Sequence, residues 1–226
     1  MLLILLMILI DRFKHRLPII QDLDLNKHLP YIKIIPVVVI SLLLTGSTKA
    51  QQSQVKFDIL KNDKSIGTLQ IEKREVSPFT DYQLSSKIEA SFIKKFRINA
   101  SEKFRYKHDK LIYSFIERSI NKKANAPKEL VFKEDRYIIK DEGGKRILPK
   151  TKINYNLVLL YFNEPLDINS VYCDNQQVMV TVKDIGNNQY RVDFPDGASN
   201  IFHYRAGRCV QIDVYGKFFK VKLIKE

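Results

Sequence analysis

The chain is 226 residues long, with 45% hydrophobic and 28% charged side chains and a formal charge of +13. That length buries a sizeable core, and the composition is that of a globular protein, neither disordered nor apolar throughout. Two cysteines, four histidines and eight glycines exclude a disulfide scaffold, a zinc-ribbon array and a glycine-rich phosphate binder.

The first 50 residues read as a targeting segment. Lys27, His28 and Lys33 precede the apolar run Ile34–Leu44, whose length fits the roughly 7–15 residues of a signal-peptide core and falls short of the ~20 that cross a bilayer. Thr48 and Ala50 then occupy the −3 and −1 positions of a cleavage site, and Gln51 would open the mature chain. The block Met1–Ile10 is a second, shorter apolar stretch. The expectation is an exported protein of the periplasm or envelope, cleaved after Ala50; the alternative is an uncleaved segment tethering the domain to the inner membrane. Residues 1–50 hold six basic and three acidic side chains, which leaves 32 and 22 for residues 51–226, a balance of +10. The basic character belongs to the domain.

From Val55 onward apolar and polar residues alternate, with turn signals about every ten residues, the pattern of an antiparallel sheet. Asn62-Asp63 turns the first strand into Ile66–Ile71, and Pro78 to Asp81 leads into Tyr82–Phe92. In the next run Phe96, Ile98, Ala100, Phe104 and Tyr106 share one face, interrupted by Glu102. The opposite face carries Lys95, Arg97, Lys103, Arg105 and Lys107. His108-Asp109 turns into Leu111–Ile120, apolar on both faces for most of its length, with Leu111, Tyr113 and Phe115 expected on one of them; such a strand is covered on both sides.

The period changes once. Ile153, Leu157, Leu160 and Tyr161 fall on a helical stripe, which predicts a short helix over 153–162 capped by Thr151 or Asn154. It is too apolar to lie free and would plug the concavity. Strands resume at Val178, Tyr190, Ile201, Val210 and Phe218. The expected fold is mainly β: one domain over 51–226, a curved antiparallel sheet or open barrel of about eleven strands with one helix.

The residues argue against chemistry. Ser199 and His203 lie four positions apart on one strand, about 13 Å, far beyond nucleophile–base reach. Cys173, Cys209, His108 and His203 lack metal-ligand spacing. No catalytic residue, metal site or cofactor is assigned, and no enzyme is expected. In an exported protein Cys173 and Cys209 would form a disulfide, with two buried thiols as the alternative. The aromatics lie opposite the cations, the arrangement of a core and a solvated face, so nucleic acid is not the expected partner.

Two readings follow. Phe96, Ile98, Phe104, Tyr106, Tyr113 and Phe115 would line an interior site for a lipid or other hydrophobic ligand. Alternatively, Lys95, Arg97, Lys103, Arg105 and Lys107 would dock on an anionic membrane surface, a glycan or an envelope protein.

Several stretches carry a resemblance: Ser65-Ile66-Gly67-Thr68-Leu69, Phe92-Ile93-Lys94-Lys95-Phe96, Leu160-Tyr161-Phe162 with Glu164-Pro165, Pro195-Asp196-Gly197, and Tyr204 with Gly207 and Cys209. Together they resemble a family of exported β-sheet proteins of Gram-negative bacteria, classed as a domain of unknown function. The resemblance implies export and the fold over residues 54–226, and brings no activity or site residue. More loosely, the layout is similar to the half-barrels that carry lipoproteins or lipids across the periplasm, a likeness of fold alone.

Overall fold

The computed structural model describes residues 51–91, 95–149, 152–216 and 219–226, and side chains outside 90–96. The targeting segment, its Ala50 cleavage site and the side chains of Lys95 and Phe96 lie outside the described residues.

Fifteen strands form one antiparallel sheet. The first nine are β1 (Gln51–Lys61), β2 (Lys64–Val76), β3 (Phe79–Ser91), β4 (Lys95–Lys107), β5 (Lys110–Ile120), β6 (Lys123–Ala124), β7 (Lys128–Lys133), β8 (Arg136–Asp141) and β9 (Gly144–Leu148). After the 3-10 turn Leu157–Tyr161 come β10 (Ser170–Cys173), β11 (Val178–Gly186), β12 (Gln189–Asp193), β13 (Ser199–Arg205), β14 (Arg208–Tyr215) and β15 (Lys220–Lys225). Their spatial order is β10-β11-β12-β13-β14-β15-β1-β2-β3-β4-β5-β7-β8-β9, with β6 beside β5. Neighbours follow in sequence except where β5 pairs with β7 past the short β6, and where β15 returns to pair with β1. The count exceeds the expected eleven because short strands such as β6, β9 and β10 span too few residues to show an alternation.

Two-residue hairpins join many of the strands. Asn62-Asp63, Glu134-Asp135, Asn187-Asn188 and Ala206-Gly207 all have both central residues at positive φ, the twist that suits a tight β-hairpin. β3 and β4 are each 13 residues long, roughly 43 Å at 3.3 Å per residue, and a sheet this wide and long coils under its own twist. Its inner face carries the core: Phe57, Ile71, Leu84, Phe104, Leu130, Ile139, Val192, Phe202 and Ile212 are all buried.

The expected helix over 153–162 is shorter and differently built. Residues 152–155 form no regular element, Asn156 is extended, and only Leu157–Tyr161 coil, as a 3-10 turn with no side-chain cap at Asn156. Bonds to distant groups explain why. The Tyr137 hydroxyl accepts from the Ile153 amide at 3.0 Å and donates to the Leu111 carbonyl at 2.8 Å. Tyr106 accepts from the Asn156 amide at 3.2 Å, and Tyr204 donates to the Leu160 carbonyl at 2.7 Å. The Ile153 and Tyr155 carbonyls, which a regular helix would pair internally, instead accept from the Leu111 and Tyr172 amides, and with the tyrosine bonds they hold the segment unwound before it turns sharply.

The ladder itself does not close, because β9 and β10 are not paired with each other. The gap is bridged instead. The Leu111 amide donates to the Ile153 carbonyl at 2.8 Å, and the Tyr172 amide to the Tyr155 carbonyl at 2.9 Å. Lys128 on β7 reaches the Asn175 carbonyl, and Arg146 on β9 holds the Gln177 side chain at 2.6 Å. The two exposed sheet edges, a liability in any open sheet, are thereby stitched through one segment and one turn.

Candidate functional site

Inside the coiled sheet lies a cavity of about 360 Å³, within the range of ligand sites. One wall comes from β1 to β4, with Ile59, Leu69, Leu84, Ile88, Ile98 and Phe104. Val214, Val221 and Leu223 continue that wall from β14 and β15, Leu223 beside Ile59, and Leu157, Val158 and Tyr161 of the 3-10 turn form another side. Phe219 also lines the cavity while remaining about half exposed, which puts it at the rim. Its ring lies so close to Gly216 that a Cβ there would approach within 2.3 Å, and the Gly216 amide donates to the Phe219 carbonyl at 2.9 Å.

One part of this apolar space is polar. Glu102 on β4 and Arg118 on β5 form an ion pair at 2.6 Å, the glutamate nearly buried and the arginine partly exposed. Asp174, in the turn after β10, is buried. Its Oδ2 accepts from Asn156 Nδ2 at 2.8 Å, while Asn156 Oδ1 accepts from the Tyr106 hydroxyl at 2.9 Å. Burial pushes the Asp174 carboxyl up from 3.8 to about 7, opposed by hydrogen bonds from Ser114 and Asn156 and assisted by the Glu102 charge. Tyr106 is likewise driven well above its ordinary value, first by burial and then by the Asp174 charge. Four buried polar atoms among the described residues lack a partner: Arg118 Nε, Asp174 Oδ1, Gln176 Oε1 and the Tyr172 hydroxyl. Arg118, Asp174 and Gln176 all line the cavity.

The sequence-derived lining set divides. Ile98 and Phe104 line the cavity, and Tyr106 is buried on the same face, where it serves the Asn156 bond. Tyr113 and Phe115 do not join them. The register between β4 and β5 slips between Arg105 and Tyr106, so that Tyr106 opposes Leu111 while Phe104 opposes Ser114. This bulge switches the parity of β5: Leu111, Ser114 and Ile116 point inward and are buried, and Tyr113 and Phe115 sit on the outer face opposite Arg105 and Lys103.

Tyr113 instead lies in a wider groove of about 920 Å³ across the outer face, with Gln52, Arg74, Asp81, Arg105 and Val131. The proposed basic face is partly neutralised there. Arg105 grips Asp81 with two bonds, 2.6 and 3.0 Å, and Arg97 binds Glu89 at 2.8 Å. Lys103 and Lys107 make no ion pair among the described residues.

Cys173 and Cys209 are both free and buried, which corrects the disulfide expectation. Three strands separate β10 from β14 in the sheet, and the 3-10 turn packs against both. Burial raises the two thiols to about 11 and about 12, so they are inert core residues at neutral pH. His203 is held by Asp213 at 2.9 Å across β13 and β14, away from Ser199. Among the described residues no group of His, Cys, Asp and Glu is arranged to hold a metal ion.

Glu102 was visible in the sequence only as a break in an apolar face. Arg118, Asp174 and Gln176 carried no periodic signal, since their partners are supplied by strands and turns distant in the chain.

The fold therefore defines a class, a β-barrel-like sheet with an internal cavity. The family model described as Domain of unknown function (DUF6134) matches residues 57–226, and the chain belongs to that family. It is also similar to the crystal structure of a β-barrel-like protein of the domain of unknown function DUF1849 from Brucella abortus. The TM-score is 0.50 at 12% identity, with 78% of this chain and 96% of that one covered, a likeness of fold alone. A comparison of the sequence with curated proteins found no match.

Proposed function

We propose that this protein is a non-enzymatic carrier or sensor of the bacterial envelope that holds a hydrophobic ligand or acyl chain inside its β domain. The observation that carries this reading is the 360 Å³ cavity, with apolar side chains from the sheet and from the 3-10 turn and a half-exposed phenylalanine at its rim. The space is open at that rim, so a ligand would have both a largely apolar lining and a way in. Export draws its support from the sequence: the Ile34–Leu44 run and the Thr48–Ala50 cleavage pattern. The competing reading, an adaptor docking through the outer basic face, draws less support, because Arg97 and Arg105 already have carboxylate partners.

One preparation tests both parts. Protein purified from cells expressing the full chain is expected to have the intact mass of a polypeptide beginning at Gln51. Titrated with the neutral fluorophore N-phenyl-1-naphthylamine, it is expected to show saturable one-to-one binding that Ala100→Phe abolishes, since Ala100 lines the cavity. Absence of saturable binding, or binding undiminished in Ala100→Phe, sinks the cavity reading. A mass that retains residues 1–50 sinks the cleaved-export reading.

A further inference from the structure

The cavity opens at one end of the sheet, and register fixes which turns surround its mouth. Leu223 pairs with Ile59, Ile59 with Gly67, Gly67 with Ile88, Ile88 with Ile98 and Ile98 with Ile120, one row from β15 to β5. Just beyond that row lie the turns Asn62-Asp63 and Asn121-Lys122, and Phe219-Lys220 at the start of β15. The pairing of Ser199 with Tyr215 brings the turn Phe194–Ala198 to the same end. Phe194, Asp196 and Phe219 line the cavity there, with Ile88 and Ile98.

Charge on these turns and their immediate flanks is one-sided. Lys61, Lys64, Lys122, Lys123 and Lys220 stand against Asp63 and Asp196. Asp193 is taken by Lys183 and Arg191, and Glu89 by Arg97. Lys64, Lys122 and Lys123 are exposed and make no ion pair among the described residues. Two of them sit on a fastened turn: the Arg97 amide donates to Asn121 Oδ1 at 2.9 Å, and the Asn121 amide to the Arg97 carbonyl at 2.8 Å. Apolar surface shares the mouth, where Phe219 is 48% exposed and Ile120 43%. The opposite end differs. It exposes Val76, Phe79 and Ile185, but Asp109, Glu134, Asp135 and Asp184 stand among its cations, and none of its turns lines the cavity.

Lysines beside exposed apolar side chains suit an anionic bilayer, where ammonium groups meet the headgroups and apolar groups enter the boundary with the acyl chains. An acidic protein surface is better matched by guanidinium forks, and here Arg97 and Arg118 are already engaged by Glu89 and Glu102. Resting on the cavity reading above and deepening it, we propose that this end docks on the anionic face of a lipid bilayer. Lys64, Lys122 and Lys123 lie at the headgroups, and Phe219 and Ile120 enter the acyl boundary. The cavity mouth then faces the membrane, and a hydrophobic ligand passes between bilayer and cavity without crossing water.

The test places an environment-sensitive nitrobenzoxadiazole label on protein prepared from the full chain, at Lys122→Cys or, at the opposite end, at Asn187→Cys. Cys173 and Cys209 are buried and stay unlabelled. Vesicles of phosphatidylglycerol and phosphatidylethanolamine are expected to brighten and blue-shift the label at position 122 and to leave that at 187 unchanged. Vesicles of phosphatidylcholine alone are expected to change neither. A lysine at an anionic surface contributes roughly fivefold in affinity. Lys64→Glu combined with Lys123→Glu is therefore expected to weaken vesicle binding by about tenfold or more, and Lys107→Glu combined with Arg208→Glu, at the opposite end, by less than about threefold. No vesicle binding, equal responses at the two labels, or an equal or greater loss from the Lys107 and Arg208 pair overturns docking by this end. N-phenyl-1-naphthylamine titrated without vesicles reads the cavity separately. Fluorophore binding without a vesicle response removes docking alone; docking without fluorophore binding removes the cavity reading and the passage of ligand with it.

Discussion

The wall of β1 to β4 and the seam where residues 153–156 and 173–177 meet β5, β7 and β9 enclose the same interior by opposite means. The wall is built by alternation. Phe57 opposes Leu69, Leu69 opposes Ser86, and Ser86 opposes Ala100, a row of inward positions fixed by register. Its backbone groups are paired along the ladder, and its interior contribution is largely apolar. The seam has two backbone bonds, from the Leu111 and Tyr172 amides, and is otherwise built by polar side chains, with Tyr137, Tyr106, Asn156, Lys128 and Arg146 supplying bonds that a closed ladder would supply. A barrel closed by its own backbone could stay dry and apolar inside. One closed by side chains carries polar and charged groups inward, and here they lie beside a cavity.

The comparison is broken most strongly at Asp174. Its folded-state value, about 7 against an ordinary 3.8, means that the native protein retains a proton the unfolded chain has already lost between those values. Its contribution to stability is fully present below the lower value and is lost as pH rises through the upper one. The swing is on the order of 4 kcal/mol. Asp174→Asn is therefore expected to exceed the parent in stability near pH 8.5 and to flatten the dependence across the window from about pH 4 to about pH 7. Denaturant midpoints measured across that window check it, and parallel profiles for the two proteins would contradict the burial argument.

A defect placed in the wall should behave differently. A Cβ at Gly67 would stand 2.1 Å from the Lys87 carbonyl oxygen and 2.8 Å from the Ile88 Cα, both backbone atoms of the paired strand. Gly67→Ala must separate β2 from β3, an overpacking cost of about 2 kcal/mol. With no titrating group involved, the loss is expected to be the same at pH 5 and pH 8. A loss that varied with pH would show that wall and seam are coupled.

The same division governs what the sequence could reveal. Alternation along β1 to β4 placed Ile98, Phe104 and Tyr106 on the inner face, because period and register are local properties. It misplaced Tyr113 and Phe115, because a single bulge at Arg105/Tyr106 reverses every later position on β5 and has no signature in residue type. The helical stripe at 153–162 marked a real apolar plug but misjudged its form, which is decided by the distant Leu111 and Tyr172 amides that take the Ile153 and Tyr155 carbonyls. Several residues behind the family resemblance fasten that plug. Tyr204 holds Leu160, the Glu164 amide donates to the Gly207 carbonyl at 3.1 Å, and Tyr190 donates to Glu164 at 3.2 Å. They are recognisable as a set, yet no periodicity links them. The site itself was least legible, since Glu102, Arg118, Asp174 and Gln176 are joined only by closure.

The outer face supplies the smallest expected effect and a control for the rest. Arg105 meets Asp81 in a two-bond pair, but both side chains are about half exposed, and pairs of this kind contribute about 0–1 kcal/mol. Arg105 also stands over the Phe79 ring at 5.7 Å, a contact that adds little at an exposed site. Arg105→Ala is therefore expected to shift unfolding by less than about 1 kcal/mol, with the difference shrinking as salt rises. Calorimetric melts at low and high ionic strength measure both quantities. A larger, salt-independent loss would mean that the groove around Asp81 and Tyr113 is packed as an interior rather than solvated. The outer surface would then have to be counted with the wall as part of what holds the barrel, and an anionic partner could no longer reach Arg105 without unfolding its surroundings.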